Sequence, residues 1–188
     1  MFLKKMTISN DLQQVFKPGG GGQSRQRSYL GALRDGDDAA AITLVDQAIV
    51  REDPRAMTTK GMMFALGRAV ARDPQSAFEW FCQAAKYGNV EAMVATGICY
   101  ASGEGTTRDL SMGAFWLYRA AQENYPFGTG MLAWLCSRYP QLVGEHFSAD
   151  ELRELLDEYA RVREVLTDSQ LAQLDRLEKI IPNSGRGE

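Results

Sequence analysis

From Tyr29 to the neighbourhood of Leu177, apolar residues recur at three- and four-residue intervals with polar residues between them, a spacing that lines one face of a helix. The stripe is clearest at Leu152, Leu155, Leu156, Tyr159, Val162 and Leu166, and Leu171, Leu174 and Leu177 continue it until Pro182. Helix starts are marked as well. Asp53-Pro54 and Asp73-Pro74 each set a capping carboxylate before a proline, whose missing N–H costs nothing at the first helical position. Ser148 with Glu151, and Thr167 with Gln170, fit the reciprocal capping box. Strand signals are nearly absent, because β-branched residues are scattered and no Asn-Gly or Asp-Gly turn separates alternating runs. The pattern predicts an all-α chain of about eight or nine helices of ordinary length.

The pattern also repeats. At an offset of 36 residues, Ala56 corresponds to Ala92, Gly61 to Gly97, Phe64 to Tyr100, Gly67 to Gly103 and Asp73 to Asp109. Trp80 meets Trp116 in the same register, and Ala84-Ala85 meets Ala120-Ala121. These residues describe a helix–turn–helix unit: Ala56 and Gly61 allow close helix contact, Phe64 fills the space between, Gly67 stops the first helix and Asp73 caps the second. One such unit cannot bury its apolar faces alone, so neighbouring units must stack. Antiparallel pairs are predicted at 54–66/73–87 and 90–102/109–123, joined by loops Gly67–Arg72 and Gly103–Arg108, with a further first-type helix at 126–138. Trp80 and Trp116 are expected to be equivalent and largely buried.

On these residues the sequence resembles the Sel-one-like repeat family, relatives of the tetratricopeptide repeats. Ala92, Gly97, Tyr100, Gly103, Gly105, Asp109, Trp116, Ala120 and Ala121 match its pattern best. The first unit departs at Ala69, where a second loop glycine is expected, and Ser76 and Met112 replace the usual lysine. Backward extension meets Gly31, Asp37, Ala41 and Ala48, with Leu44 in place of the tryptophan, as in a degenerate cap; forward extension meets Gly128, Ala133 and Trp134. The resemblance implies an α-solenoid with extra C-terminal helices. The expected organisation is an N-terminal arm over 1–28, a degenerate capping repeat over 29–55, repeats over 56–138, a C-terminal helical cap over 139–182 and a disordered tail over 183–188.

Composition adds boundaries. With 45% hydrophobic and 24% charged residues, the chain has the mix of an ordinary folded domain. Gly19–Gly22 reads as a flexible linker within the arm, since glycine imposes little preference on the chain path. No lysine followed by Ser/Thr comes after it, so it is not a phosphate-binding loop. Lys4, Lys5, Lys17, Arg25 and Arg27 stand against Asp11, so residues 1–28 carry +4, while residues 148–188 carry six basic and ten acidic side chains. The two ends could attract each other or a neighbouring copy. A basic surface confined to a short arm argues against nucleic acid as a partner. Cys82, Cys99 and Cys136 are an odd set within helical segments, no apolar leader follows Lys4-Lys5, and no window has the ~18–20 apolar residues of a membrane span. A reducing cytoplasm, without membrane insertion, is the expected setting.

Catalytic chemistry finds few residues. His146 is the sole histidine, and no C-x-x-C spacing exists, so no catalytic site, metal site or cofactor is assigned. The acidic groups Asp37-Asp38 and Glu151, Glu154 and Glu158 fit helix caps and solvated faces. The resemblance instead implies a protein partner, because the family is chiefly known for adaptors, scaffolds and bacterial partners of secreted proteins. It puts first helices on a concave side, where the residue after the framework glycine reads Met62, Ile98 and Trp134. With Thr58 and Val94 on neighbouring turns, this ladder is the candidate partner-binding row; packing between repeats is the alternative role for the same residues. The sharper expectation is a bacterial toxin-neutralising immunity protein or a secretion adaptor, its partner a toxin or secreted effector. The alternatives are a structural homo-oligomer and an enzyme with an unrecognised site.

Overall fold

The computed structural model describes residues 28–139 and, beyond them, Leu142, Ser148, Asp150, Glu151, Arg153, Glu154, Asp157, Ala160, Arg161 and Glu164. The glycine arm, His146 and the helix expected from Thr167 lie outside the described residues. Among the described residues there are helices and no strand. They are α1 (Tyr29–Asp35), α2 (Asp38–Val50), α3 (Pro54–Leu66), α4 (Pro74–Lys86), α5 (Val90–Ser102), α6 (Leu110–Gln122) and α7 (Pro126–Arg138). From α2 onward each is 13 residues long. Ser148 and Glu151 form the expected capping box: each backbone N–H donates to the other's side chain, at 2.7 and 3.2 Å.

The period is written into the backbone. Asp73 and Asp109 accept from the first-turn N–H groups of α4 and α6, and Asp53 and Asn89 do so for α3 and α5. Gly67 and Gly103 end α3 and α5 in the left-handed region, at φ 67° and 77°. The turns between units contain a second left-handed series, Glu52, Gly88 and Asn124, again 36 residues apart. Gly88 and Asn124 are residue types that such a backbone accepts while Glu52 is not, so this part of the period is conformational as well as compositional.

α3 and α5 each pack on the second helix of their own unit and against that of the unit before, and α7 packs on α6. A Cβ added at Gly61 would lie 2.7 Å from the Phe81 ring, and one at Gly97 would lie 2.8 Å from Leu117. The two glycines therefore stand where α3 meets α4 and α5 meets α6, and Phe81 and Leu117 are buried by that approach. The central core continues through Met93, Met131, Leu132 and Leu135 to Tyr139 and Leu142.

The two tryptophans are not equivalent. Trp116 is buried, but Trp80 is only half-buried. The register supplies the reason: Phe115 meets the Trp116 ring edge-on at 5.5 Å, and the Arg119 guanidinium lies 5.6 Å from its centroid. The corresponding residues beside Trp80 are Glu79 and Gln83, which offer neither a ring nor a cation.

Contacts along the loop edge clasp one unit to the next. Arg68 donates to the Leu33 carbonyl, Arg72 pairs with Glu104, and Arg108 donates to the Tyr139 hydroxyl at 2.8 Å while stacking on its ring. Deeper between α2 and α3, the buried Lys60 ammonium reaches Asp46 at 2.9 Å.

Candidate partner-binding surface

The first helices carry the row expected to face a partner, and the fold packs most of it away. Ile98 is 1% exposed, Val94 3%, Thr58 5% and Trp134 7%. The Thr58 hydroxyl is turned back to the Pro54 carbonyl at 2.9 Å. The expectation of an open ladder is therefore corrected: α3 and α5 each lie between two second helices, and α7 is buried continuously from Phe127 to Cys136. Val94, Ile98 and Trp134 belong to the core cluster. Only Met62 of the five retains substantial exposure.

Met62 opens onto a different feature, an apolar groove between α1 and α3. Leu30 and Leu33 from α1 face Met62, Met63 and Leu66 from α3, with Arg68 at one end. The groove follows from the shortness of α1. A 13-residue partner would lie along the whole of α3, but α1 has 7 residues, about 10 Å of helix against about 20 Å. The turn Gly36-Asp37 leads straight into α2, and the clasp from Arg68 to Leu33 holds the end of α1 at its distance. Sequence reasoning missed Leu30, Leu33 and Leu66 because it followed the 36-residue register, which α1 does not obey.

The other end is polar. Tyr29 lies near Thr59, Asp53, Arg55 and Glu91, and burial pushes its phenol upward in pKa. Burial likewise raises the Glu91 carboxyl, with Arg55 acting in the opposite direction. The result is a small apolar trough with a cation at one end and a mixed-charge polar cluster at the other, a chemistry that suits an apolar side chain flanked by polar groups.

Reactive groups are few among the described residues. No group of three or more His, Cys, Asp or Glu side chains there could hold a metal ion. Cys82, Cys99 and Cys136 are free, and burial pushes all three thiols up, Cys136 to about 11. Such thiols are poor nucleophiles at neutral pH. No helix among the described residues is long and apolar enough to cross a membrane.

The model of the Sel1 repeat family matches residues 61–89 and 90–125. No curated protein matches the chain. Among solved structures the fold is similar to a Sel1 repeat protein from Oxalobacter formigenes, with a TM-score of 0.63 and 24% identity over 79% of this chain and 58% of that one. It is also similar to a protective antigen present in uropathogenic Escherichia coli strains and displaying an SLR fold, with a TM-score of 0.61 and 23% identity over 84% of this chain and 34% of that one. The chain thus spans less than two thirds of either relative's length. Residues 61–89 and 90–125 thus carry two tandem Sel1 repeats, and the described helices share the α-solenoid fold of these structures.

Proposed function

We propose that the chain is a protein-interaction module that receives a segment of another protein in the groove between α1 and α3. Sel1 repeats generally serve protein–protein interaction, and the observation that carries the reading here is the half-exposed apolar row Leu30, Leu33, Met62 and Leu66. Half-exposed aliphatic and methionine side chains around a concavity suit the centre of an interface. Within this class the finer reading is a neutraliser of a bacterial toxin or an adaptor for a secreted effector, each of which would hold a partner protein on the repeat surface. The free thiols support a reducing, cytoplasmic setting. A scaffold role agrees with the general use of Sel1 repeats in protein–protein interaction.

The test is capture by the tagged full chain from its native cell, beside the variants Leu66→Asp and Leu30→Asp. A charge in the groove should abolish capture; since Leu30 and Leu66 are half-buried, each variant is melted beside the parent and only variants that still unfold cooperatively are scored. Retained capture by both folded variants overturns the groove. Light scattering across protein concentrations separates this reading from a structural homo-oligomer, whose mass would rise with concentration.

A further inference from the structure

We propose that the segment received in the α1/α3 groove is acidic, with an aliphatic side chain seated between Leu30, Leu33, Met62 and Leu66 and a neighbouring Asp or Glu carboxylate on Arg68. The proposal rests on the groove being a docking surface and names the chemistry of what docks there.

Arg68 stands where the repeat breaks a charge pair. Between the complete units Arg72 pairs with Glu104. One period earlier the same two places fall at 72 - 36 = 36 and 104 - 36 = 68, which the sequence fills with Gly36 and Arg68. Glycine supplies no side chain and the second charge is reversed, so the pair cannot form. Arg68 instead donates through one guanidinium nitrogen to the backbone carbonyl of Leu33, a neutral partner. Among the described residues no carboxylate forms an ion pair with it. A guanidinium carries five N–H donors in a fork that fits a carboxylate, and one bond to a carbonyl leaves most of them to spend.

The acidic side chains of α1, α2 and their caps are committed elsewhere. Asp35 pairs with Arg34 at 3.4 Å, Asp37 caps α2, Asp46 holds the Lys60 ammonium and Asp53 caps α3. Arg68 is the one charged side chain in the groove's lining, so the complement to this surface is an anion.

Size fixes the rest of the occupant. The enclosed space is about 50 Å³, room for a single aliphatic side chain and not for the face of a helix. Polar groups stand at both ends, Arg68 at one and Thr59 with the surroundings of Tyr29 at the other. A chain crossing the trough therefore continues beyond both ends, and the carboxylate belongs to a residue beside the anchor. Burial of the anchor supplies affinity, and the exposed pair supplies selection of about fivefold at most.

Fluorescence anisotropy of the full chain tests this with labelled peptides amidated at the C-terminus: Ser-Gly-Leu-Leu-Asp-Asp-Gly-Ser, its Asn-Asn counterpart and its Lys-Lys counterpart. The parent should bind the Asp peptide about fivefold more tightly than the Asn peptide, with the advantage shrinking in added salt. This comparison needs no variant to fold. Arg68→Gln should erase the advantage and Arg68→Lys keep part of it. Arg68→Glu should reverse it in favour of the Lys peptide, which loss of the Leu33 contact alone would not do. Melting curves identify which variants are folded. Failure to bind the Asp peptide, equal affinity for the Asp and Asn peptides, or an unchanged preference in folded Arg68→Gln overturns the proposal. Full affinity restored to the Asn peptide by a free terminal carboxylate overturns it in favour of a chain end. Any of these failures with partner capture still lost in folded Leu66→Asp and Leu30→Asp leaves the groove reading standing. Retained capture by those two variants defeats the groove reading itself.

Discussion

Adding one methyl group at Gly105 should cost about as much as emptying a buried side-chain site. Gly105 sits at φ 78° in the loop between α5 and α6, where a Cβ would fall 2.0 Å from the Pro74 carbonyl oxygen and 2.6 Å from its carbon. These are backbone atoms at the first turn of α4, so no rotamer change relieves the overlap. The left-handed backbone costs an alanine about 1–2 kcal/mol, and overpacking against fixed atoms adds about 1–3 kcal/mol. Gly105→Ala should therefore destabilise by about 2–5 kcal/mol, a fall in melting temperature of roughly 2–4 °C for each kcal/mol in a chain of this size. The reverse experiment exists 36 positions earlier. Ala69 already holds a left-handed backbone at φ 62°, in a loop that abuts the shortened cap instead of a complete unit. Ala69→Gly relieves about 1–2 kcal/mol of strain and concedes about 0.4–1 kcal/mol of unfolded-chain entropy, so it should stabilise by about 0.5–1 kcal/mol. Urea denaturation followed by far-UV circular dichroism measures both. A Gly105→Ala change within about 0.5 kcal/mol of the parent, the ordinary scatter of surface substitutions, would refute the close approach of this loop to the first turn of α4. A destabilising Ala69→Gly would refute the strain argument.

Trp116→Ala should cost about 3–5 kcal/mol and Trp80→Ala clearly less, because only the first empties a buried site; equal losses in thermal melts would contradict the different shielding of the two rings. Burial raises the Glu91 carboxyl above its ordinary 4.5, so its favourable contribution is present below pH 4.5 and is lost as pH rises through the higher folded value. Glu91→Gln should accordingly melt higher than the parent at pH 7, with the gain disappearing below pH 4.5. Asp73 has the opposite sign: the Ser76 hydroxyl and backbone hold its carboxyl below the ordinary 3.8, so its capping contribution stands at neutral pH and fades as pH falls through the lower folded value. Melts of Asp73→Asn against the parent at pH 7 and pH 2.5 should converge at the lower pH. Cys99 should resist alkylation in the native chain at pH 8 and react on unfolding, which mass spectrometry with iodoacetamide can follow.

The repeat was readable because its residues have separate, non-interchangeable jobs. Glycine at 61 and 97, aspartate at 73 and 109 and glycine at 67 and 103 each answer a steric or capping demand, and α3 to α7 fall where those residues predict. The binding row was not readable in the same way. A register gives the direction in which Ile98 and Trp134 leave their helices, but not whether neighbouring helices already fill that direction. The groove escaped for a different reason. It arises from residues that are missing from α1, and Leu30, Leu33 and Leu66 are unremarkable aliphatics until the short helix leaves them side by side.

The clasps from Arg68 to Leu33, from Arg72 to Glu104 and from Arg108 to Tyr139 all sit where first helices end and loops begin, on one margin of the stack. On the opposite margin, at the turns of Glu52, Gly88 and Asn124, the Tyr87 hydroxyl meets Glu52 at a loose 3.4 Å. The stack is thus a spring with one stiff side. Bending that spreads the turn margin should therefore meet less resistance than bending that parts the clasps. Cutting Arg72 or Glu104 would make that compliance more even before it unfolded anything.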